Sequence, residues 1–351
     1  MKMWLKHWTD STLRVLMLPH VEHYTIGLSR ELTKYVDLTL LSSKRFDTPS
    51  KQVILPSIPR VTGLLKRLYY KTYSYYYHIF HANTAIGGST IGALDKLVIT
   101  EHGWPDPGLV HDLYRDYYVK EYNALLYLHG HGVPIVTISN YSAEMLRKRC
   151  GVKVRAVIYH GLLEEFMDGV RELPEKLIIL WVSRLIKIKE PLILLKALAK
   201  LSKEIDFKAY IVGDGPLRDA MTRFLNERKE LTGKVSFLGK LPFKMMPRLY
   251  KIASILVHTA SFEAFGLAVL EAMGAGLPVI VPRSGGAYEI AGADAISFSP
   301  HDPEDLANKI ASLCSDRRLY EKQSKRSLER AKEFSWEKAA KSYLKIYESI
   351  V

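Results

Sequence analysis

Short β-branched runs alternate with stretches of helical periodicity along this chain, and the alternation restarts with a strongly apolar run at residues 177–182. That pattern signals parallel sheets whose strands are joined by crossover helices. In the first half the spacing predicts strands at 14–18, 36–41, 79–82, 97–100, 135–138 and 154–158, with helices at 24–34, 61–73, 110–128 and 142–150. In the second half strands are expected at 177–182, 208–212, 235–238, 255–258, 278–281 and 295–297, with a helix at 191–201. At 351 residues the chain is long for one core. Two doubly wound α/β domains are therefore expected, 1–167 and 168–335, with the ligand site in the cleft between them. From Pro303 onward the pattern is helical. In the last helix Trp336, Ala339, Ala340, Tyr343, Leu344 and Tyr347 form one apolar stripe behind the N-cap Ser335, and that stripe needs a docking surface.

Residues 259–280 carry most of the chemical information. They read as a loop holding Glu263, a short helix holding Glu271, a tight turn and a buried strand. The free amides at the helix start, near Phe265, Gly266, Leu267 and Ala268, form an anion site between the two carboxylates. A ligand with hydroxyls on both sides of its charge suits this arrangement, as a nucleotide diphosphate-sugar does. Leu267, Leu270 and Met273 can equally be the buried face of an ordinary helix. Glu271, set within Leu-Ala-Val-Leu-Glu-Ala-Met, has few polar neighbours in sequence, and a buried carboxylate needs partners.

Arg184 and Lys189 follow the 177–182 strand, where two cations suit a pyrophosphate leaving group, although both can also be solvated surface residues. Gly213-Asp214-Gly215-Pro216 is a tight turn with either a phosphate-binding or a purely structural role. The same choice applies to Ser284-Gly285-Gly286 with Glu289. His102, in Thr100-Glu101-His102-Gly103, follows a strand into a loop at the cleft face, where it can contact the sugar, assist proton movement or be structural.

Lys plus Arg exceed Asp plus Glu by 13, shared as 20 basic against 14 acidic residues up to 167 and 30 against 23 beyond. Such a balance attracts anionic partners in general. No aromatic pattern of a nucleic-acid-binding module is present, so no nucleic-acid partner is expected. The run Tyr69-Tyr70-Lys71-Thr72-Tyr73-Ser74-Tyr75-Tyr76-Tyr77, behind Arg60, Lys66 and Arg67, reads either as an interfacial helix on an anionic membrane or, at Tyr76, Tyr77, Ile79 and Phe80, as core strand. Cys150 and Cys314 lack metal or redox spacing, residues 1–8 lack a signal-peptide core, and no run reaches membrane-spanning length. A cytoplasmic protein, at most peripheral to a membrane, is expected.

Taken together, Arg184-Leu185 with Lys189, Gly213 to Pro216, Phe237-Leu238-Gly239 and residues 260–279 closely resemble the donor-domain signature of the retaining glycosyltransferases of family 4, which have the GT-B fold. The resemblance is tight over about 176–292. It is looser in the first half, through His81-Ala82-Asn83, Thr100 to Gly103, residues 138–142 and Tyr159-His160-Gly161. It implies that Arg184 and Lys189 hold the diphosphate, Glu263 faces the transferred sugar, and backbone at Phe265, Gly266 and Leu267 supports sugar and phosphate. It further implies that Glu271 binds ribose hydroxyls, that Gly213 borders the donor, and that backbone at Lys240 and Leu241 borders the base. The helix 336–351 would cross back onto the first domain. No metal and no cofactor are implied; the partners would be a nucleotide-sugar donor and a lipid-linked or glycan acceptor. Two departures stand out: Glu190 replaces the glycine expected after Lys189, and Pro19-His20-Val21-Glu22-His23 replaces a Gly-Gly turn.

Two rivals accompany this reading. A glycosidase would use Glu263 and Glu271 as its pair, but on one continuous helix eight residues rise about 12 Å, beyond the roughly 5–9.5 Å such pairs span. A non-catalytic module of the same fold would bind nucleotide or anionic polymer without turnover.

Overall fold

The computed structural model describes residues 12–57, 61–106 and 112–351. The reading of residues 1–8 and of Arg60 falls outside them, as do the first two residues of the 110–128 helix.

The first sheet has seven parallel strands in the order β3-β2-β1-β4-β5-β6-β7. They are β1 Arg14–Leu18, β2 Asp37–Ser42, β3 Lys51–Ile54, β4 Ile79–Ala82, β5 Leu97–Glu101, β6 Ile135–Thr137 and β7 Ala156–Val157. Its helices are α1 Glu22–Leu32, α2 Val61–Tyr73, α3 Ala85–Ser89, α4 Asp112–Gly130 and α5 Asn140–Cys150. The sequence reading missed β3 and α3. β3 is an edge strand with only half-buried or exposed side chains, so it lacks an apolar signature. α3 is a five-residue helix containing two glycines, below the length at which periodicity shows.

The second sheet has six parallel strands in the order β10-β9-β8-β11-β12-β13. They are β8 Leu177–Val182, β9 Phe207–Val212, β10 Val235–Gly239, β11 Ile255–Val257, β12 Val279–Pro282 and β13 Ile296–Phe298. Around and after them come α6 Pro191–Leu201, α7 Arg218–Asn226, α8 Met246–Ile252, α9 Leu267–Gly274, α10 Gly285–Ala291, α11 Pro303–Ser315, α12 Arg317–Ala331 and α13 Trp336–Glu348. Both sheets are doubly wound and Rossmann-like, with the chain order reversing between β1 and β4 in one and between β8 and β11 in the other. Ligands of open α/β sheets bind outside the carboxyl ends of strands at such switch points.

The apolar stripe of α13 packs on the first domain. Tyr343 and Tyr347 are fully buried. The Tyr347 hydroxyl lies 2.7 Å from His81 Nδ1, His81 Nε2 lies 2.7 Å from Thr100 Oγ1, and Thr100 Oγ1 lies 2.8 Å from the Tyr343 hydroxyl. Burial pushes His81 down to about 3, so this chain of bonds uses a neutral ring. Trp336 lies on Gly27 of α1 so closely that a Cβ there would sit 2.1 Å from Trp336 Nε1.

In the tyrosine-rich run, Tyr70 and Tyr77 are buried with Ile79 and Phe80. Tyr76 is exposed in the turn before β4 and so is not part of the core strand. Among the described residues no helix is long and apolar enough to cross a membrane.

Candidate active site

The carboxyl ends of β1 and β4 deliver His20 and Asn83, and those of β8 and β11 deliver Arg184, Lys189 and the segment His258 to Glu263. These are the two switch points. The domains touch across the cleft at the neighbouring end of β6, where the Ser139 and Ser142 hydroxyls donate to the Ala264 carbonyl at 2.5 and 3.1 Å. Glu289 of α10 reinforces the meeting. Its carboxylate accepts from the Asn140 and Tyr141 amides at 2.9 and 2.8 Å and from the Tyr159 hydroxyl at 2.6 Å. A carboxylate at the N-terminus of α5 is favoured by the helix's free amides and dipole.

Glu263 lies in the loop before α9, and Lys189 Nζ donates to its Oε2 at 2.7 Å. His258 Nε2 lies 3.4 Å from the same oxygen. Burial works to raise the Glu263 carboxyl, but the Lys189 ammonium and His258 outweigh it and hold the group well below the usual carboxylate range. The carboxylate is thus ionised and immobile. Lys189 is fixed in turn by its own carbonyl, which accepts from Thr259 Oγ1 at 2.8 Å, while Trp181 Nε1 donates to Thr259 at 2.9 Å. Arg184 is solvent-exposed at the end of β8.

Glu190 explains its own departure. It has φ 52°, ψ 44°, the left-handed region that glycine enters without strain. Its side chain offsets that strain with two bonds: Oε1 accepts from the Ser261 amide at 3.1 Å, and Oε2 lies 2.6 Å from His301 Nδ1. The carboxylate thereby ties the Lys189 turn to the loop that carries Glu263.

α9 begins after Gly266, whose φ of 98° again requires glycine. The amides of Leu267 and Ala268 then have no intrahelical acceptor. Because Glu263 precedes this helix, the 12 Å rise invoked against a glycosidase pair does not describe the segment. What separates the two glutamates is their partners. Glu271 is only 7 % exposed; its Oε1 lies 2.7 Å from His23 Nδ1, and its Oε2 accepts from the Tyr250 hydroxyl at 2.9 Å.

His102 is fixed as a particular tautomer. Asn83 Nδ2 donates to the Leu18 carbonyl, which turns Asn83 Oδ1 toward His102 Nε2 at 3.1 Å. Nε2 therefore carries the hydrogen, and Nδ1 is a buried acceptor with no partner among the described residues. Burial, then His20, His160 and His81, push His102 well below its ordinary value, so the ring is neutral. The His20 ring stacks on it at 4.0 Å and is itself lowered to about 4 by burial.

The glycine turns are packing devices. A Cβ on Gly213 would lie 1.8 Å from the Ser183 carbonyl oxygen, and one on Gly215 2.6 Å from that of Leu185. A Cβ on Gly286 would lie 2.2 Å from the Ala264 oxygen. Gly213 thus lets β9's turn support the strand end that carries Arg184. Lys240 is exposed and Leu241 half-buried just after β10, at the edge of the second sheet. His23, Tyr250 and His258 were not assigned site roles from sequence, and Glu289 was named only beside the Ser284-Gly285-Gly286 turn. A histidine ending a buried strand was a usable signal for His258; the others lie too far from their partners in sequence to be found by pattern.

With this geometry in view, the likeness to known proteins is specific. The model of the family "Glycosyl transferases group 1" matches residues 164–330. An uncharacterized glycosyltransferase of Methanocaldococcus jannaschii is 28% identical over 281 residues, 78% of this chain and 75% of the relative. Other relatives, among them a sulfoquinovosyl transferase of Arabidopsis thaliana, are matched over less than half of their own length. Among solved structures, a sucrose-phosphate synthase from Thermosynechococcus elongatus superposes with TM-score 0.78 at 19% identity, over 96% of this chain and 99% of that one. Anabaena HepE in complex with UDP-glucose gives 0.77 at 18%, over 96% and 100%. The protein is a glycosyltransferase with the GT-B fold.

Proposed function

We propose that the protein is a retaining, metal-independent transferase that moves a hexose from a nucleotide diphosphate-sugar, GDP-mannose or a UDP-hexose, to a lipid-linked or glycan acceptor. The observation that carries this reading is the Lys189–Glu263 pair, an ionised carboxylate locked at 2.7 Å beside a cation at a strand switch point. Arg184 and Lys189 take the diphosphate and stabilise the charge that grows on it as the glycosidic bond breaks, the work a metal ion does elsewhere. The first amides of α9 add to that field. Glu263 faces the hexose, Glu271 the ribose, and the backbone at Lys240 and Leu241 the base. His102 Nδ1, a buried acceptor without a partner among the described residues, is assigned to a sugar hydroxyl. The complex of HepE with UDP-glucose supports a donor of this class.

A thermal-shift screen against UDP, GDP and their hexose conjugates tests the reading. Ligand present at 100 times its dissociation constant is expected to add about 2.7 kcal/mol of stability. No shift with any of them would remove the donor assignment and favour a fold used for binding alone. For the true donor, NMR of the product is expected to show the anomeric configuration kept.

A membrane-bound acceptor is favoured by one surface. On and after α2, Leu64, Leu68, Tyr73 and Tyr75 are exposed, Leu64 by 59% and Tyr75 by 73%, with Arg67 and Lys71 also exposed between them. Apolar and cationic side chains interleaved on one face suit an anionic interface. Co-sedimentation with phosphatidylserine-containing vesicles at low salt is expected, and a Leu64→Ser/Leu68→Ser variant is expected to reduce it severalfold. Equal partitioning with neutral and anionic vesicles would exclude the charge-assisted mode.

A further inference from the structure

His23 comes from α1 of the first domain, yet its ring is 3 % exposed and sits against the second domain's Glu271. Nδ1 faces the Glu271 carboxylate at 2.7 Å, and Nε2 faces the Gly161 carbonyl at 3.0 Å. Both of those partners are acceptors. A neutral imidazole has a single N–H, so both contacts are satisfied only when the His23–Glu271 pair holds two protons, one on Nε2 and one between ring and carboxylate. Tyr250 supplies a third hydrogen to the other carboxylate oxygen at 2.9 Å. Both oxygens of Glu271 are therefore oriented, each with a second lone pair still to offer. The ring of Phe243, which follows the segment assigned to the base, lies 5.9 Å from the His23 ring.

We propose that His23 is a positioning residue for ribose recognition. Through Nδ1 it sets the orientation in which Glu271 receives the 2′ and 3′ hydroxyls, so the ribose subsite is completed only when the first domain is seated on the second. The proposal rests on the assignment of Glu271 to ribose given above. It also gives the Pro19–His23 departure a purpose: in place of a flexible glycine turn, this chain starts α1 with a residue that reaches across the cleft. His23 acts through Glu271 and contacts no reacting atom.

Two near-isosteric variants separate the ring's two bonds. Glutamine places its N–H near the Nε2 position and keeps the Gly161 contact; asparagine places its N–H near Nδ1 and keeps the Glu271 contact. Isothermal titration of wild type, His23→Asn, His23→Gln and Glu271→Gln with UDP, GDP and their 2′-deoxy forms reads the ratio of ribo to deoxy affinity, with melting curves as a check of folding. Wild type is expected to prefer the ribo form by about tenfold, the scale of one hydrogen bond to a charged group. His23→Asn is expected to keep most of that preference, and His23→Gln and Glu271→Gln to reduce it to about twofold or less. A His23→Gln protein that keeps the wild-type ratio, an Asn variant that behaves like the Gln variant, or tighter ribonucleotide binding in His23→Gln would each overturn the proposal. Wild type that binds the nucleotides without any ribo preference, or a Glu271→Gln protein that retains it, overturns the ribose role of Glu271 itself. Wild type that binds neither nucleotide overturns the donor reading. The three failures are thus told apart.

Discussion

Glu263→Ala is expected to lower kcat by about 10²- to 10³-fold, the range seen when one preorganised electrostatic group is removed from a site. The carboxylate does two things here. It faces the position assigned to the hexose, and it holds the Lys189 ammonium at 2.7 Å. Without it, Lys189 is a half-buried cation with no anionic partner, and the orientation it needs for the proposed diphosphate contact is lost. Because the two residues act as one unit, a Lys189→Ala/Glu263→Ala protein is expected to fall little below the worse single variant, a non-additivity that a cycle of four proteins measures. Glu263→Gln keeps the shape but not the charge and is expected to fall between wild type and alanine. The measurement is kcat and KM with the donor identified by thermal shift. An alanine variant with full transfer activity would sink the assignment of Glu263.

Gly213→Ala is expected to destabilise the second domain by about 3 kcal/mol or more, combining overpacking with left-handed strain. Its φ is 128°, and the added methyl would meet the Ser183 carbonyl oxygen at 1.8 Å. A main-chain oxygen cannot swing away as a side chain does, so the β8 end must move and carry Arg184 with it. For a domain of this size that corresponds to a melting temperature lower by about 10 °C. The loss is expected in the absence of any nucleotide, which distinguishes a packing glycine from one needed only for phosphate approach. Gly63→Ala is the control: nothing lies within 4 Å of its Cβ position on α2, so it should be neutral or slightly stabilising. An unchanged melting temperature for Gly213→Ala would refute the packing argument.

The parts legible in the sequence share a physical character. β8 and α6 were placed to the residue, at 177–182 and 191–201, because an unbroken apolar run and an uninterrupted helical stripe report burial within one element. β7 shrank to Ala156–Val157 and β3 escaped notice, because an edge strand gains little from burial and its composition shows little of it. Lys189 and Glu263, 74 residues apart, were placed in one site by their resemblance to a known motif, and the structure joins them directly. The departures at Glu190 and His23 were visible as departures only. That Glu190 closes a strained turn through Ser261 and His301 follows from coordinates alone.

The sequence by itself determined two doubly wound domains, the strand ends that face the cleft, and the cations and carboxylates to which the proposed function assigns a diphosphate and its flanking hydroxyls. Those are encoded in periodicity and in motifs spanning tens of residues. Only the tertiary structure decided which partner each buried polar group takes. Glu271 meets His23 from 248 positions away, and Tyr347 meets His81 from 266. The physical reason is desolvation: a carboxylate or imidazole taken out of water must find a hydrogen-bonding partner. Which one it finds is set by how distant elements pack, and no local pattern records that.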